Sequence, residues 1–437
     1  MKYLDYDKNL ITRICYEFYY PVWRQHINKP QSLLRVILSF TRRCLHYLFF
    51  GDKKEPIAGK IIFFSTTENN NKSLRPVWDR LKSDEYVIWD RDEIFSESKI
   101  LFFSFVNFYK FLWTYFTSSK DERLVMRQYD YWFTQAWGLY KVIDRFFLKN
   151  KDQIKLVVLA NDESPENRCI AESCLKQQIK TLYTQHAAAT FSLPNNIFSY
   201  SFLDGYDAFR KYSYYYPIKG KVFLSGSPRF DSYYGPKCPQ YIGIATNLAD
   251  DMMKAIDLCS FLKSKGYDNL ILRPHPRQTL SDDIKVRLNN MNIPISEAKD
   301  ESTFKFLSKL ELLIANNSSI HFDAMVARVQ SIKYNFASKQ YAINDTVCDQ
   351  YSFDSSGIVI CCETFEDILQ ECENPSLISV NKIKEWNGAA NTKHEGHVAE
   401  LIASFITALI NEDEEGNILD WIDSVFLYNE EGYYEYK

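Results

Sequence analysis

Short apolar runs that stop abruptly in polar residues recur along this 437-residue chain, most of them followed by a helical stretch. "KIIFFS" (60–65), "YVIWD" (86–90), "IKLVVLAND" (154–162), "IKTLYTQH" (179–186), "IFSYSFL" (197–203) and "KVFLSG" (221–226) form a first series. A second comprises "YIGIAT" (241–246), "NLILRP" (269–274), "LLIANN" (312–317), "QSIKYNF" (330–336) and "GIVICC" (357–362). Strands alternating with helices need crossover connections, and these make parallel sheets. The chain is also too long for one ordinary core. Glycine and proline cluster at "YYGPKCPQ" (233–240), between the two series. The expected architecture is α/β: two Rossmann-like parallel-sheet domains facing a cleft, behind an N-terminal helical extension. The expected division is a basic and aromatic extension over 1–55, a first Rossmann-like domain over 56–235, a second over 236–390, and a helix with an acidic tail over 391–437.

The helical stretches are read at 98–118, 120–149, 164–178, 249–265, 280–290, 302–311, 319–327, 364–373 and 397–410. Between "KIIFFS" and "YVIWD" only a polar loop beginning Ser65-Thr66-Thr67 is assigned.

Ligands of open parallel sheets bind beyond the carboxyl ends of the strands. The residues there are polar in every case that matters. Asn161, Asp162 and Glu163 end one strand, and Gln185 and His186 the next. Gly226 to Arg229 end another, with Asp231 two residues on. In the second series Thr246 and Asn247, then Arg273, Pro274 and His275, then Asn316 to Ser319 hold the corresponding places. Each set has a plain reading as a turn or a cap; together they would line one cleft from both sides. Asp323 follows Ser319 by one helical turn and can face the same way.

Several classes are disfavoured. A net charge of -4 gives no basic field for nucleic acid. No Walker or GxGxxG loop argues for a kinase, an ATPase or a conventional dinucleotide enzyme, and no GxSxG elbow for an α/β-hydrolase. No HExxH or Cys/His cluster argues for a metal. The 10 cysteines are scattered without a CxxC pair, so they read as reduced thiols of a cytoplasmic protein. The start has no apolar signal core. The nearest approach to a membrane span, residues 100–116, is short and interrupted by Asn107 and Lys110. Residues 13–50 interleave Arg13, Arg24, Lys29, Arg35, Arg42 and Arg43 with aromatics, against the single acid Glu17. They read either as a helix packed on the first domain or as attachment to an anionic membrane surface at the inner face of the cytoplasmic membrane.

"RPHP" at 273–276, followed some forty residues later by "NNSSIHFDA" (316–324), resembles the donor half of GT-B transferases that use cytidine-nucleotide donors. These are the bacterial sialyl- and polysialyltransferases, the Kdo-type capsule transferases and the CDP-glycerol or CDP-ribitol phosphotransferases. "LYTQHAAAT" (182–190) and "LSGSPRFDSY" (224–233) are similar to upstream elements of the polymer-forming members. The resemblance covers residues 154–365. Ala187 stands where a glycine is usual, Asn316-Asn317 replaces an Asp-Tyr pair, and Asp162-Glu163-Ser164 only partly matches the sialyltransferase acidic element.

The resemblance implies a metal-independent glycosyltransferase of capsule or lipopolysaccharide synthesis. It would move a sugar from a CMP-linked donor, itself a substrate and not a cofactor, to a glycan or lipid-linked glycan. The implied nucleotide and phosphate site is Arg273, His275, Pro276, Ser318, Ser319, Thr246 and Asn247, with Arg277 as a second candidate cation. Pro274 and Pro276 restrict the backbone on either side of His275. His186 or Asp162 is the expected base. Glu163, Arg229, Asp231 and Asp323 are expected to touch the acceptor or to orient their neighbours, Asp231 by holding Arg229. The alternatives are a polyol-phosphate transferase, a sugar-nucleotide epimerase and a non-catalytic assembly subunit.

Overall fold

The computed structural model describes residues 10–19, 30–50, 56–90, 95–191, 193–248, 250–337, 353–376, 378–411 and 416–437. The first half contains helices α1 (Leu10–Ile14), α2 (Leu33–Phe50), α3 (Glu68–Trp78), α4 (Glu97–Val106), α5 (Phe108–Thr117), α6 (Lys120–Gln128), α7 (Asp130–Asn150), α8 (Pro165–Gln177) and α9 (Tyr206–Ser213). Its strands are β1 (Ile61–Phe64), β2 (Tyr86–Trp89), β3 (Leu156–Leu159), β4 (Lys180–Thr184), β5 (Tyr200–Leu203) and β6 (Lys221–Leu224). The second half carries β7 (Tyr241–Ala245), β8 (Leu270–Arg273), β9 (Leu310–Ala315), β10 (Gln330–Tyr334) and β11 (Ile360–Cys362). Its helices are α10 (Met252–Ser264), α11 (Asp282–Asn290), α12 (Thr303–Leu307), α13 (Ile320–Val326), α14 (Phe353–Ser356), α15 (Phe365–Glu373) and α16 (Val380–Trp386). The chain ends with α17 (Val398–Ile410), α18 (Gly416–Val425), β12 (Phe426–Tyr428) and β13 (Tyr434–Tyr436).

Two sheets result, ordered β12-β13-β6-β5-β4-β3-β1-β2 and β11-β10-β9-β7-β8. Every pairing is parallel except β12 with β13. The strands of the first sheet are apolar on both faces because helices cover both. Ile62 and Phe64 of β1 join Val157 and Leu159 of β3 in a layer with α4 to α8. Ile61 and Phe63 join Leu156 and Val158 in the opposite layer, under α3, α17 and α18. This two-residue alternation is the pleat of the strand made visible.

The tail is therefore part of the first domain. β13 pairs with β6 at Tyr434 and Phe223, and the Tyr436 hydroxyl donates to the Ser225 carbonyl at 3.0 Å. Two long helical stretches expected at 98–118 and 120–149 are each broken in two. At Asn107 the side chain donates to the Phe103 carbonyl at 2.8 Å and closes α4. At Tyr129 the backbone leaves helical geometry (φ -109°, ψ 39°). A Cβ at Gly138 would lie 2.1 Å from the Ile100 carbonyl oxygen, so glycine there allows α7 to lie directly against α4. The expected polar loop after β1 also contains a helix. Thr67 caps α3, accepting from the Asn70 N–H, and Leu74, Val77 and Trp78 bury its inner side.

In the first sheet β1 lies between β2 and β3; in the second, β7 lies between β8 and β9. Both are points where the winding direction reverses, and such points open a crevice at the carboxyl ends. Among the described residues no helix is long and apolar enough to cross a membrane.

Candidate functional site

The loops at the carboxyl ends of β4, β5 and β6 are fastened to each other through Gln185. Its side-chain oxygen accepts the Asp204 N–H at 3.0 Å, and its amide donates to the Ala187 carbonyl at 2.7 Å. The Gln185 carbonyl accepts the Ser73 hydroxyl from α3 at 3.2 Å and the Ser227 hydroxyl at 3.0 Å. The next residue, His186, is thus carried on a rigid support.

Beyond it lies a cleft of about 950 Å³ between the two sheets. His186 and Arg229 line it from the first domain, and Ser319, Phe322 and Asp323 from the second. Lys72 and Arg75 of α3 also reach it. They are three residues apart, on one side of that helix. Neither forms an ion pair among the described residues.

Two polar atoms of this lining are buried without a hydrogen-bond partner: Nδ1 of His186 and Nε of Arg229. Buried polar atoms are rarely left unsatisfied in a folded protein; these two, among several such atoms of the described residues, are the ones on the cleft lining, where a ligand can pair with them. Burial, then the neighbouring Arg229 cation, press the His186 pKa down to about 4, against a hydrogen bond with the Ala160 backbone. The ring is therefore neutral at pH 7. Arg229 is held by Asp204, NH2 to Oδ2 at 2.8 Å, and lies 4.3 Å over the Phe230 ring. Burial raises the Asp204 pKa to about 6 although Arg229 opposes it. Asp323 accepts the Tyr233 hydroxyl at 3.1 Å. Its pKa is raised by burial, with Arg229, Tyr233, Lys72 and Arg273 acting the other way.

Other expected residues stand elsewhere. Asp162 does not line the cleft: it is 2 % exposed and bound by the hydroxyls of Tyr212 at 2.6 Å and Tyr183 at 3.3 Å. Burial pushes its pKa up to about 6 against those hydrogen bonds. The Glu163 N–H donates to Asn161 Oδ1 at 2.8 Å, a turn contact, and its side chain is outside the lining. Asp231 borders the cleft but does not hold Arg229. Its two carboxylate oxygens accept the Val398 and Ala399 N–H groups at 3.0 and 2.8 Å, at the start of α17. Asp204 takes the expected part of Asp231, and nothing in the spacing of the sequence announces it.

The strand ends of the second sheet form a hydrogen-bonded group. Thr246 Oγ1 donates to Gln278 Oε1 at 2.9 Å, and the His275 N–H approaches the same oxygen at 3.4 Å. His275 Nδ1 accepts the Arg277 N–H at 3.1 Å, so Nε2 is the ring nitrogen left for a ligand. Pro276 is exposed beside it. The Asn247 N–H donates to Asp250 at 2.7 Å, and Asp250 in turn accepts from Asn316 at 2.6 Å. His321 is fully buried with Nε2 on the Asn316 carbonyl at 2.8 Å, away from the cleft. Ser318 Oγ accepts the Ile320 N–H at 3.4 Å, whereas Ser319 makes no capping bond and faces the cleft. Arg273 is the exception. Its guanidinium donates to Ser296 Oγ at 2.7 Å and the Glu301 carbonyl at 3.0 Å, 5.1 Å over Phe306, so two of its donors are spent inside the fold.

Among the described residues no group of three or more His, Cys, Asp or Glu side chains is placed to hold a metal ion. Two parallel-sheet domains with their carboxyl ends turned on one cleft make this a GT-B-type α/β protein.

No protein-family model and no curated protein matches the chain. Solved structures of similar chain path include a UDP-GlcNAc 2-epimerase from Methanocaldococcus jannaschii, at 16% identity over 79% of this chain and 99% of that one, with TM-score 0.44. Another is the wall teichoic acid polymerase TagF, at 12% identity over 90% and 99%, TM-score 0.44. A third is MurG from Acinetobacter baumannii, at 10% identity over 80% and 99%, TM-score 0.44. These likenesses concern the course of the chain alone.

Proposed function

We propose that this chain is a GT-B-type glycosyltransferase of surface-polysaccharide synthesis, moving a sugar from a cytidine-nucleotide donor to a hydroxyl of a glycan acceptor. The carrying observation is the pair of buried, unpartnered polar atoms, His186 Nδ1 and Arg229 Nε, in a cleft between two sets of strand ends. The cytidine assignment rests on the resemblance of "RPHP" and "NNSSIHFDA", whose strands β8 and β9 flank β7.

In this reading the bond between the sugar's anomeric carbon and the donor phosphate breaks, and the electron pair leaves with the phosphate. The acceptor oxygen bonds to that carbon, and its proton passes to His186 Nδ1. A neutral imidazole is competent to take it. Arg229 with Lys72 meets the leaving phosphate from one wall and Ser319 from the other; His275, on the β8 loop outside that lining, is assigned to the nucleotide through its unengaged Nε2. Fixed donors of this kind contribute roughly 3 to 4 kcal/mol each when they meet developing charge. Asp162 has no part, since its carboxylate is closed off by two tyrosines.

The test is calorimetric titration with CMP, CDP, UDP and GDP, followed by transfer assays. Binding of CMP or CDP, weakened by His275→Ala, is expected. Binding of uridine or guanosine nucleotides alone would remove the cytidine assignment. His186→Ala should abolish transfer and leave nucleotide affinity nearly unchanged; joint loss would contradict the assigned division of labour. Conversion of a donor sugar without acceptor would point to an epimerase, and a product heavier by one phosphate per unit to a polyol-phosphate transferase.

A further inference from the structure

The first domain carries an apolar surface that its described residues leave uncovered. On α4 and α5 the residues Phe102, Phe105, Val106, Tyr109, Trp113 and Phe116 are all more than half exposed, Trp113 at 73%. They lie opposite the buried positions Ile100, Leu101 and Ser104 of α4 and Phe111, Thr114 and Tyr115 of α5. Helix α2 packs on this unit through Phe40, Cys44 and Leu101, with Phe40 stacked on Phe108 at 4.6 Å. Its outer side repeats the pattern: Leu34, Leu38 and Leu45 form an exposed stripe at helical spacing. Monomeric proteins seldom expose contiguous apolar surface of this extent without a use for it.

Within the helical segments that carry it the charges have one sign, and Asp121 and Glu122 follow only beyond α5. Residues 33–50 and 98–120 contain no Asp or Glu, but Arg35, Arg42, Arg43, Lys99, Lys110 and Lys120. Arg43 is engaged by Asp130 at 3.4 Å, while Arg35 and Arg42 are exposed. Glu97, the nearest preceding acid, accepts the Tyr131 hydroxyl at 3.3 Å. Two grooves open beside the stripe. One of about 690 Å³ is lined by Leu112, Trp113, Phe116 and Trp137. The other, about 450 Å³, has Phe102, Phe103 and Phe146 as walls and Lys99, Arg145 and Lys149 around them.

We infer that this face docks on an anionic lipid bilayer, with the α4–α5 aromatics in the headgroup region and the surrounding cations on lipid phosphates. Aromatic side chains favour the membrane interface, and each cation near an anionic surface adds attraction. Apolar insertion together with charge is the combination that holds a peripheral protein. A second copy of the chain fits less well, because an acid-free face meeting itself brings cation against cation. Of the extension expected from the sequence the docking face keeps only α2: Ile11, Ile14, Phe18 and Tyr19 are buried in the core, and Arg13 is paired with Glu172 at 2.8 Å. Arg24 and Lys29 lie outside the described residues. The inference needs no donor chemistry and stands apart from the proposed transfer reaction.

The test is co-sedimentation of the full chain with extruded vesicles of phosphatidylcholine alone, or containing roughly a third phosphatidylglycerol. The wild type should partition onto the anionic vesicles, with a blue shift of tryptophan emission, and less so at high salt. The Trp113→Ser/Phe116→Ser variant should bind at least about tenfold more weakly. Arg145→Glu/Lys149→Glu should weaken binding to anionic vesicles as well. Circular dichroism checks that the variants fold, and if the serine variant does not, the charge variant decides. Wild type remaining in the supernatant with anionic vesicles, or variants binding as well as wild type, would overturn the inference. So would a sedimenting dimer that the serine substitutions dissociate.

Discussion

Replacing His186 with glutamine tests the electrostatics of the cleft directly. The unfolded imidazole titrates near its ordinary 6.5, and burial with the Arg229 cation takes the folded value to about 4. As pH falls below 6.5 the unfolded chain takes up the proton first, so stability present above 6.5 is lost progressively down to about pH 4. At about 1.36 kcal/mol per pH unit, the gap amounts to about 3.4 kcal/mol. The ring is partly open to the cleft, which makes this an upper limit. His321, fully buried and likewise depressed to about 4, adds a similar loss in the same window. The assay is urea unfolding of wild type and His186→Gln at pH 7.5, 6, 5 and 4.5. The wild type should lose stability steeply, and over that range the variant should lose up to about 2.6 kcal/mol less. Parallel losses in the two proteins would refute a buried neutral His186. The same reasoning places the acid limb of the transfer rate well below pH 6; a midpoint near 6.5 would contradict it.

Two further outcomes follow from the site's supports. Asp204→Ala leaves the Arg229 guanidinium buried without its carboxylate, and should cost about 3 to 5 kcal/mol by denaturant titration; adding Arg229→Met should restore part of it. Asp231→Ala removes the acceptor of two N–H groups at the start of α17, and should cost about 1 to 2 kcal/mol with nucleotide affinity unchanged. Lost affinity at intact stability would instead assign Asp231 to the substrate.

Much of the architecture was readable from residue pattern alone. Runs such as "IIFF" and "LVVL" are buried on both faces, and their polar ends lie where parallel strands bind ligands. His186, Arg229, Ser319 and Asp323 were named from that rule and do share the cleft. Helix α3 was missed because Asn69 to Asn71 and Pro76 weaken its local signal. The fit of Leu74, Val77 and Trp78 against β1 and β3 compensates. The acidic, tyrosine-rich end gave no strand signal of its own, since β13 gains its order by pairing with β6.

By itself the sequence determined most of the element types, the parallel winding and the polar strand ends, because these depend on periodicity and local backbone preference. Only the tertiary structure decided which of those ends meet. Burial converts a histidine of ordinary pKa into a neutral one at pH 7 and closes two tyrosines over Asp162. It also turns Asp231 to a helix start and gives Arg229 to Asp204. Each of these depends on groups brought together from far along the chain, and desolvation and pairing energies exist only once they have met.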